Sequence, residues 1–174
     1  MNWPPPVPHV AVLTVALVAA VCDLKTRRIP NALTLGAALV AIGVHGMLSG
    51  WSGVLLAASG WVVGLALFFP VFLLGGMGAG DVKLLAATGA WLGPYGAVWV
   101  ALYGVLAGGL MALVVSLASG YTRVALRNVW AMLRFWQVAG VRPVAGVTLS
   151  SSVGPRLPYA LPIAAGVMVT LWLY

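Results

Sequence analysis

Long apolar runs, separated by short polar or glycine-rich breaks, dominate the sequence. A helix that crosses the hydrocarbon core of a bilayer needs about 20 mostly apolar residues. The runs therefore predict about six transmembrane helices, of which the fourth is short and fits only where its neighbours cover it. We place these spans at residues 7–22, 31–47, 54–74, 82–92, 95–118 and 157–174.

Residues 121–140 follow a different pattern. Arg123, Arg127 and Arg134 recur at helical spacing and fall within about 40° of one another around a helix axis, with apolar side chains opposite. This spacing predicts an amphipathic helix that lies in the cytoplasmic membrane interface. A docking surface for another membrane protein is the alternative. The following stretch, 141–155, is predicted to be a loop.

The composition agrees with a chain whose solvent is lipid. Hydrophobic residues make up 63% of the 174 residues and charged residues only 6%, whereas soluble domains carry about 25% charged residues. This excludes a soluble enzyme, a disordered chain and a free nucleic-acid-binding domain. The net charge of +7 suits anionic lipid headgroups rather than nucleic acid. We therefore predict one all-α integral membrane domain over residues 1–174.

The cations predict the orientation of the chain. With six alternating spans, all nine Lys and Arg residues lie on one side, which the positive-inside rule assigns to the cytoplasm. A five-span arrangement would scatter them across both faces. Both termini then lie on the opposite side, and the start lacks the charged region of a cleaved signal peptide. The nine are Lys25, Arg27, Arg28, Lys83, Arg123, Arg127, Arg134, Arg142 and Arg156.

Only two acidic side chains occur, Asp23 and Asp81. The predicted topology places both at cytoplasmic ends of spans. Two carboxylates that converge there share a proton, because like charges held close together cannot both ionise. The ionised one can activate water while the protonated one polarises a peptide carbonyl. The pair predicts aspartyl proteolysis without a metal or cofactor. Taken singly, Asp23 could balance nearby cations, and Asp81 could be favoured by a helix dipole.

Small and rigid residues flank both acids. Gly78 and Gly80 precede Asp81, and glycine lets a substrate backbone approach closely, although a flexible turn alone would use the same residues. Pro30 interrupts the helix after Asp23, and Asn31 can cap the next helix.

The segments Asp-Leu-Lys-Thr-Arg-Arg-Ile-Pro-Asn (23–31) and Met-Gly-Ala-Gly-Asp-Val-Lys (77–83) together resemble the type IV prepilin peptidases. These are intramembrane aspartyl proteases of the GxGD class, and the short chain looks like the form that serves Flp (Tad-type) pili. The resemblance implies that Asp23 and Asp81 are catalytic. It also implies that a short basic leader is cut from a prepilin, after a glycine and before its apolar helix, at the cytoplasmic face of the bacterial inner membrane. The candidate substrate-binding and loop residues are Gly78, Gly80, Lys83, Pro30 and Asn31; Lys83 could instead anchor its helix to headgroups.

Two departures from related proteases refine this expectation. Long prepilin peptidases carry paired CxxC motifs between the first two spans, whereas only one cysteine, Cys22, occurs here. We therefore expect no zinc and no methyltransferase activity. Presenilin-like proteases have Tyr where Cys22 stands, which disfavours a protease of that kind.

Two other functions remain open at this stage. A catalytically inactive assembly subunit of a pilus or secretion system could share the fold. A small proton-coupled transporter could use the aspartates as a relay, although a relay is expected deeper in the bilayer.

Overall fold

The computed structural model describes residues 6–144 and 157–173, and this part of the chain contains α-helices and no strand. The helices are α1 (Pro6–Thr26), α2 (Asn31–Leu73), α3 (Ala79–Ala118), α4 (Thr122–Ala139) and α5 (Ala160–Leu173). Three of them, α1 to α3, are long and apolar enough to cross a membrane, and α5 is a shorter apolar helix.

Helix α2 turns back on itself at Gly50, whose φ of 61° is in the left-handed region that favours glycine. Eight residues of straight helix span about 12 Å. A Cβ built on Gly53 would nevertheless collide with the carbonyl group of His45, eight residues earlier. The chain therefore reverses between a first arm, residues 31–49, and a second arm, residues 51–73.

Helix α3 reverses in the same way at Gly93, where φ is 74° and Pro94 follows. A Cβ on Gly89 would lie 3.0 Å from the Cβ of Ala97, again eight residues away. The first arm of α3 is residues 79–92, and the second arm is residues 94–118.

The helix α1, the four arms and α5 correspond to the six apolar segments predicted from the sequence. That each of them crosses the bilayer stays a prediction. The short fourth segment is covered as it was expected to be: from Asp81 to Gly93, every residue except Lys83 is buried. Elsewhere large apolar side chains face outward, for example Val10 (65% exposed) and Leu110 (64% exposed), as lipid solvation allows.

Small residues let the arms pack closely, as is common between membrane helices. The second arm of α2 contacts the first arm of α3 where Gly60 meets Gly89, since a Cβ on either glycine would collide with the other's carbonyl oxygen. The second arm of α3 contacts α5, where a Cβ on Gly166 would lie 2.6 Å from the carbonyl oxygen of Val100. In both contacts the packed segments run antiparallel, and the first contact helps to bury the first arm of α3.

The predicted amphipathic segment forms α4, which has no buried residue. Its Arg134 guanidinium lies over the ring of Trp130, 4.9 Å from the centroid. Its place in the membrane interface stays a prediction. Most of the predicted loop at 141–155, together with Arg156, lies outside the described residues.

The helices differ from the sequence expectation at four points, while the bounds of the membrane spans stay predictions. Helix α1 continues past Cys22 to Thr26, and the Thr26 hydroxyl donates a hydrogen bond to the Cys22 carbonyl at 2.8 Å. Asn31 does not cap α2, since Pro30 occupies the N-cap position in an extended conformation. The glycine-rich sequence at residues 75–80, which is expected to form a loop, is non-helical only as far as residue 78, because α3 begins at Ala79. Helix α5 begins at Ala160 rather than at residue 157.

Candidate active site

Asp23 lies in the last turn of α1 and is 8% exposed. Its Oδ2 accepts a hydrogen bond from the backbone N–H of Ala160, the first residue of α5, at 3.3 Å. The first N–H groups of a helix lack partners within the helix and favour a negative charge. The N-terminus of α5 therefore holds the Asp23 carboxylate in place.

Asp81 lies in the first turn of α3 and is 9% exposed. Its Oδ2 accepts a hydrogen bond from the backbone N–H of Gly78 at 3.1 Å. Its own N–H donates to the Gly78 carbonyl at 3.2 Å. These paired bonds fix the carboxylate at the N-terminus of α3, where the helix dipole favours it.

The two carboxylates line one cleft of about 330 Å³. The two residues are 58 positions apart in the sequence, and the fold brings them to the same end of the bundle. Cations surround them: Arg27, Arg28 and Lys83 also line the cleft. The other lining residues are Ile29, Asn31, Gly78, Ala79 and Gly80.

The turn between α1 and α2 is fixed against the start of α3 by two contacts. The Lys83 Nζ donates a hydrogen bond to the Asn31 Oδ1 at 2.9 Å. A Cβ on Gly80 would lie 3.2 Å from the Cβ of Ile29, so the two segments approach closely. These contacts hold the segment after Asp23 against the segment that carries Asp81.

Four of the five predicted substrate-binding residues line the cleft: Gly78, Gly80, Lys83 and Asn31. Pro30 does not line it. Its carbonyl instead accepts the N–H groups of Leu33 and Thr34, at 3.1 and 3.3 Å, and so begins α2.

The sequence did not predict the contribution of α5. Besides the Ala160 N–H, the preceding residue, Tyr159, is held at this end of the bundle. The Tyr159 ring packs edge-on against Phe68, with centroids 6.0 Å apart, and a Cβ on Gly108 would come within 2.9 Å of it. A backbone donor has no sequence signature, and Leu157–Ala160 carries no charged group that would mark it.

Among the described residues, no group of three or more His, Cys, Asp or Glu side chains could hold a metal ion. The buried His45 lies about 20 Å along α2 from Asn31, at 1.5 Å per residue. Its Nε2 is 3.0 Å from the Trp91 carbonyl oxygen, which accounts for its position without a role in the cleft.

Comparison with known proteins identifies a protein family. The sequence pattern of the type IV leader peptidase family matches residues 10–113, which is more than half of the chain and includes both aspartates. No curated protein and no solved structure matches the chain. The chain therefore belongs to the type IV leader peptidase family.

Proposed function

We propose that this membrane protein is an aspartyl endopeptidase that removes the short basic leader from prepilin or pilin-like precursors. The observation that carries the proposal is that Asp23 and Asp81, from two different helices, line one cleft. They are also the only acidic side chains in the sequence. Membership of a peptidase family supports hydrolysis of a peptide bond as the reaction.

The mechanism follows from two buried carboxylates that line one cleft. One is ionised and takes a proton from a water molecule, whose oxygen then attacks the carbonyl carbon of the scissile bond. The other is protonated and donates a hydrogen bond to the carbonyl oxygen as negative charge develops there. When the C–N bond breaks, the leaving amine takes up a proton from the pair. The hydrogen bonds from Ala160 and Gly78 orient the carboxylates for these steps.

The residues around the aspartates suit a peptide backbone. The loop that ends at Gly78 and the exposed side chains of Asn31 and Lys83 border the cleft. In this proposal the substrate lies extended beside the glycine loop, where the absence of side chains permits close approach.

The form of the protease is also a proposal. Only residues 27–30 separate α1 from α2, which leaves no room there for a cysteine-bearing region. We infer a short enzyme of the Flp (Tad-type) pilus kind, without zinc or methyltransferase activity. It would lie in the bacterial inner membrane with the cleft facing the cytoplasm and both termini in the periplasm. A proton relay for transport is less well supported, because both carboxylates lie at one end of the bundle.

The proposal is tested by replacing each carboxylate with an amide of nearly the same size. Asp23→Asn and Asp81→Asn should each abolish leader removal from a co-expressed prepilin, measured as a shift in electrophoretic mobility. Thr14→Val, on the exposed side of α1, is the matched control and should process normally. Each variant is checked for membrane insertion and for monodispersity in detergent. Normal processing by either aspartate variant would overturn the two-aspartate mechanism.

A further inference from the structure

The packing of α5 against α3 shows where the aspartates lie along the second arm of α3. A Cβ on Gly104 would lie 3.7 Å from the Cα of Ile163, so these two residues are at the same level. The two segments run antiparallel, and Ala160, three residues before Ile163, is therefore level with about residue 107 of α3. Because the Ala160 N–H donates a hydrogen bond to Asp23 at 3.3 Å, the cleft lies at this level too.

Helix α3 continues well past the level of the cleft. It ends at Ala118, so residues 109–118 extend about 15 Å farther, at 1.5 Å per residue. We call these ten residues the projecting segment. The helices that join α3 at the cleft end sooner: α1 stops at Thr26, three residues after Asp23, and α5 begins at Ala160 itself.

The projecting segment is apolar. It carries no charged residue, and four large side chains on one face of it are each more than half exposed. An exposed apolar face of this size is costly in water and is stable in hydrocarbon. The four are Leu110, Leu113, Val114 and Leu117.

Helix α4 follows after a turn at residues 119–121 and carries an exposed apolar stripe. Four exposed side chains recur at helical spacing along one side of it. Among the described helices, α4 contacts only α3, and no residue of α4 is buried. No other described helix therefore covers the apolar stripe, which consists of Leu126, Val129, Trp130 and Leu133.

Three arginines flank the apolar stripe along one edge, Arg123, Arg127 and Arg134. The only acidic side chains in the sequence are Asp23 and Asp81. Both are buried, and the cleft that they line includes no residue of α4. The chain therefore offers no side-chain carboxylate to these arginines, and an anion from outside the chain fits them.

We propose that α4 binds anionic phospholipid headgroups, with its apolar stripe at the edge of the hydrocarbon and its three arginines against the lipid phosphates. The Arg134 guanidinium lies over the Trp130 ring, 4.9 Å from the centroid, so charge and apolar surface adjoin as an interfacial helix requires. Lipid is favoured over an acidic protein because α4 directly follows a segment that is itself suited to hydrocarbon.

This assignment also sets the level of the membrane surface. If the projecting segment lies in hydrocarbon and α4 lies among headgroups, the headgroup layer beside α3 is about 15 Å farther out than the aspartates. The cleft then opens below the headgroup layer on that side of the bundle. The inference does not depend on peptidase activity.

The first experiment measures depth in lipid nanodiscs made of POPC or of a POPC–POPG mixture. Single cysteines in a Cys22→Ser background carry a nitroxide label, and its collisions with oxygen are compared with its collisions with a water-soluble nickel chelate. Leu133→Cys, on the apolar stripe, should favour oxygen in the mixture. The matched control, Ala131→Cys, is exposed on the opposite side of α4 and should favour the chelate. Leu113→Cys, on the projecting segment, should favour oxygen in both lipids.

Two outcomes would contradict the proposal. Equal chelate access at Leu133→Cys and Ala131→Cys in the mixture would overturn the lipid site and leave α4 to a protein partner. Chelate access at Leu113→Cys would show that the projecting segment lies in water, and it would overturn the proposed level of the membrane surface.

The second experiment tests recognition of the headgroup charge. The triple variant Arg123→Gln/Arg127→Gln/Arg134→Gln should lose the oxygen preference at Leu133→Cys. Native mass spectrometry of protein released from the mixed nanodiscs should show its enrichment in POPG over POPC reduced by at least about tenfold. The matched control replaces the same three arginines by lysine, which keeps the charge, and should retain the enrichment. Equal enrichment in the glutamine variant and the wild-type protein would contradict headgroup binding by α4.

Discussion

The carboxylate of Asp23 and the backbone N–H of Ala160, 3.3 Å apart, join the last turn of α1 to the first residue of α5. The contact explains why α5 belongs to the candidate site although it supplies no titratable side chain to the cleft. A donor at a helix N-terminus is already oriented by the helix, so it fixes the carboxylate without requiring a mobile side chain.

Removal of this N–H should reduce activity. Ala160→Pro deletes the donor at the first helical position, where proline is compatible with the backbone. Loss of a hydrogen bond to a charged group costs about 1.5–3 kcal/mol, so we expect the rate of leader removal to fall by at least about tenfold. Ala160→Val is the matched control, because it adds a similar bulk at the same buried position and keeps the N–H. Equal rates for the two variants would show that the hydrogen bond does not position Asp23.

The close packing of Gly80 against Ile29 predicts that a second substitution restores the activity that a first one removes. Gly80→Ala places a Cβ 3.2 Å from the Cβ of Ile29, which pushes the α1–α2 turn away from the start of α3. Cleavage should fall severalfold, and the double variant Gly80→Ala/Ile29→Ala should recover most of it, because neighbouring residues couple non-additively.

Gly78→Ala serves as the comparison. Its Cβ would lie 3.2 Å from Asp81 Oδ2, so Ile29→Ala should give no recovery there. An equal recovery with Gly78→Ala, or none with Gly80→Ala, would contradict the steric explanation. Initial rates of precursor cleavage measure both cases.

Much of the site was predictable because charge is costly in a membrane. Asp23 and Asp81 are conspicuous in an apolar chain, and the gaps between predicted spans at residues 48–53 and 93–94 include the points where α2 and α3 reverse. The part of the candidate site that the sequence did not predict depends on backbone geometry. The Ala160 N–H looks like any other amide in sequence, and its partner lies 137 positions away.

Asn31 shows why a local pattern can be misleading. An Asn after a proline at a helix start predicts an N-cap. In the structure Pro30 occupies that position, and the Asn31 side chain instead accepts a hydrogen bond from Lys83, 52 positions later in the chain. A residue predicted to stabilise one helix thus joins two helices beside the cleft.

The contact between Gly60 and Gly89 predicts a loss of stability. Gly60→Val would place side-chain atoms against the backbone of Gly89 and separate the second arm of α2 from the short arm of α3. Overpacking of this kind costs about 1–3 kcal/mol, which should appear as a lower midpoint in thermal or SDS unfolding in detergent. Gly36→Val is the control on the same helix, because a Cβ there meets nothing within 4 Å. Similar losses in both variants would reflect helix propensity rather than packing.

The proposed topology predicts which turns face which side of the membrane. In a Cys22→Ser background, which removes the one native cysteine, we would place single cysteines at Ser52 and Gln137. Ser52 follows the reversal at Gly50, and Gln137 lies on the exposed helix α4. A membrane-impermeant maleimide should label Ser52→Cys in intact spheroplasts and Gln137→Cys only after lysis. This result is expected because the positive-inside rule places the cations of α4 in the cytoplasm. Labelling of both positions from one side would mean that the second arm of α2 and the two arms of α3 do not all cross the bilayer, and it would overturn the six-span arrangement.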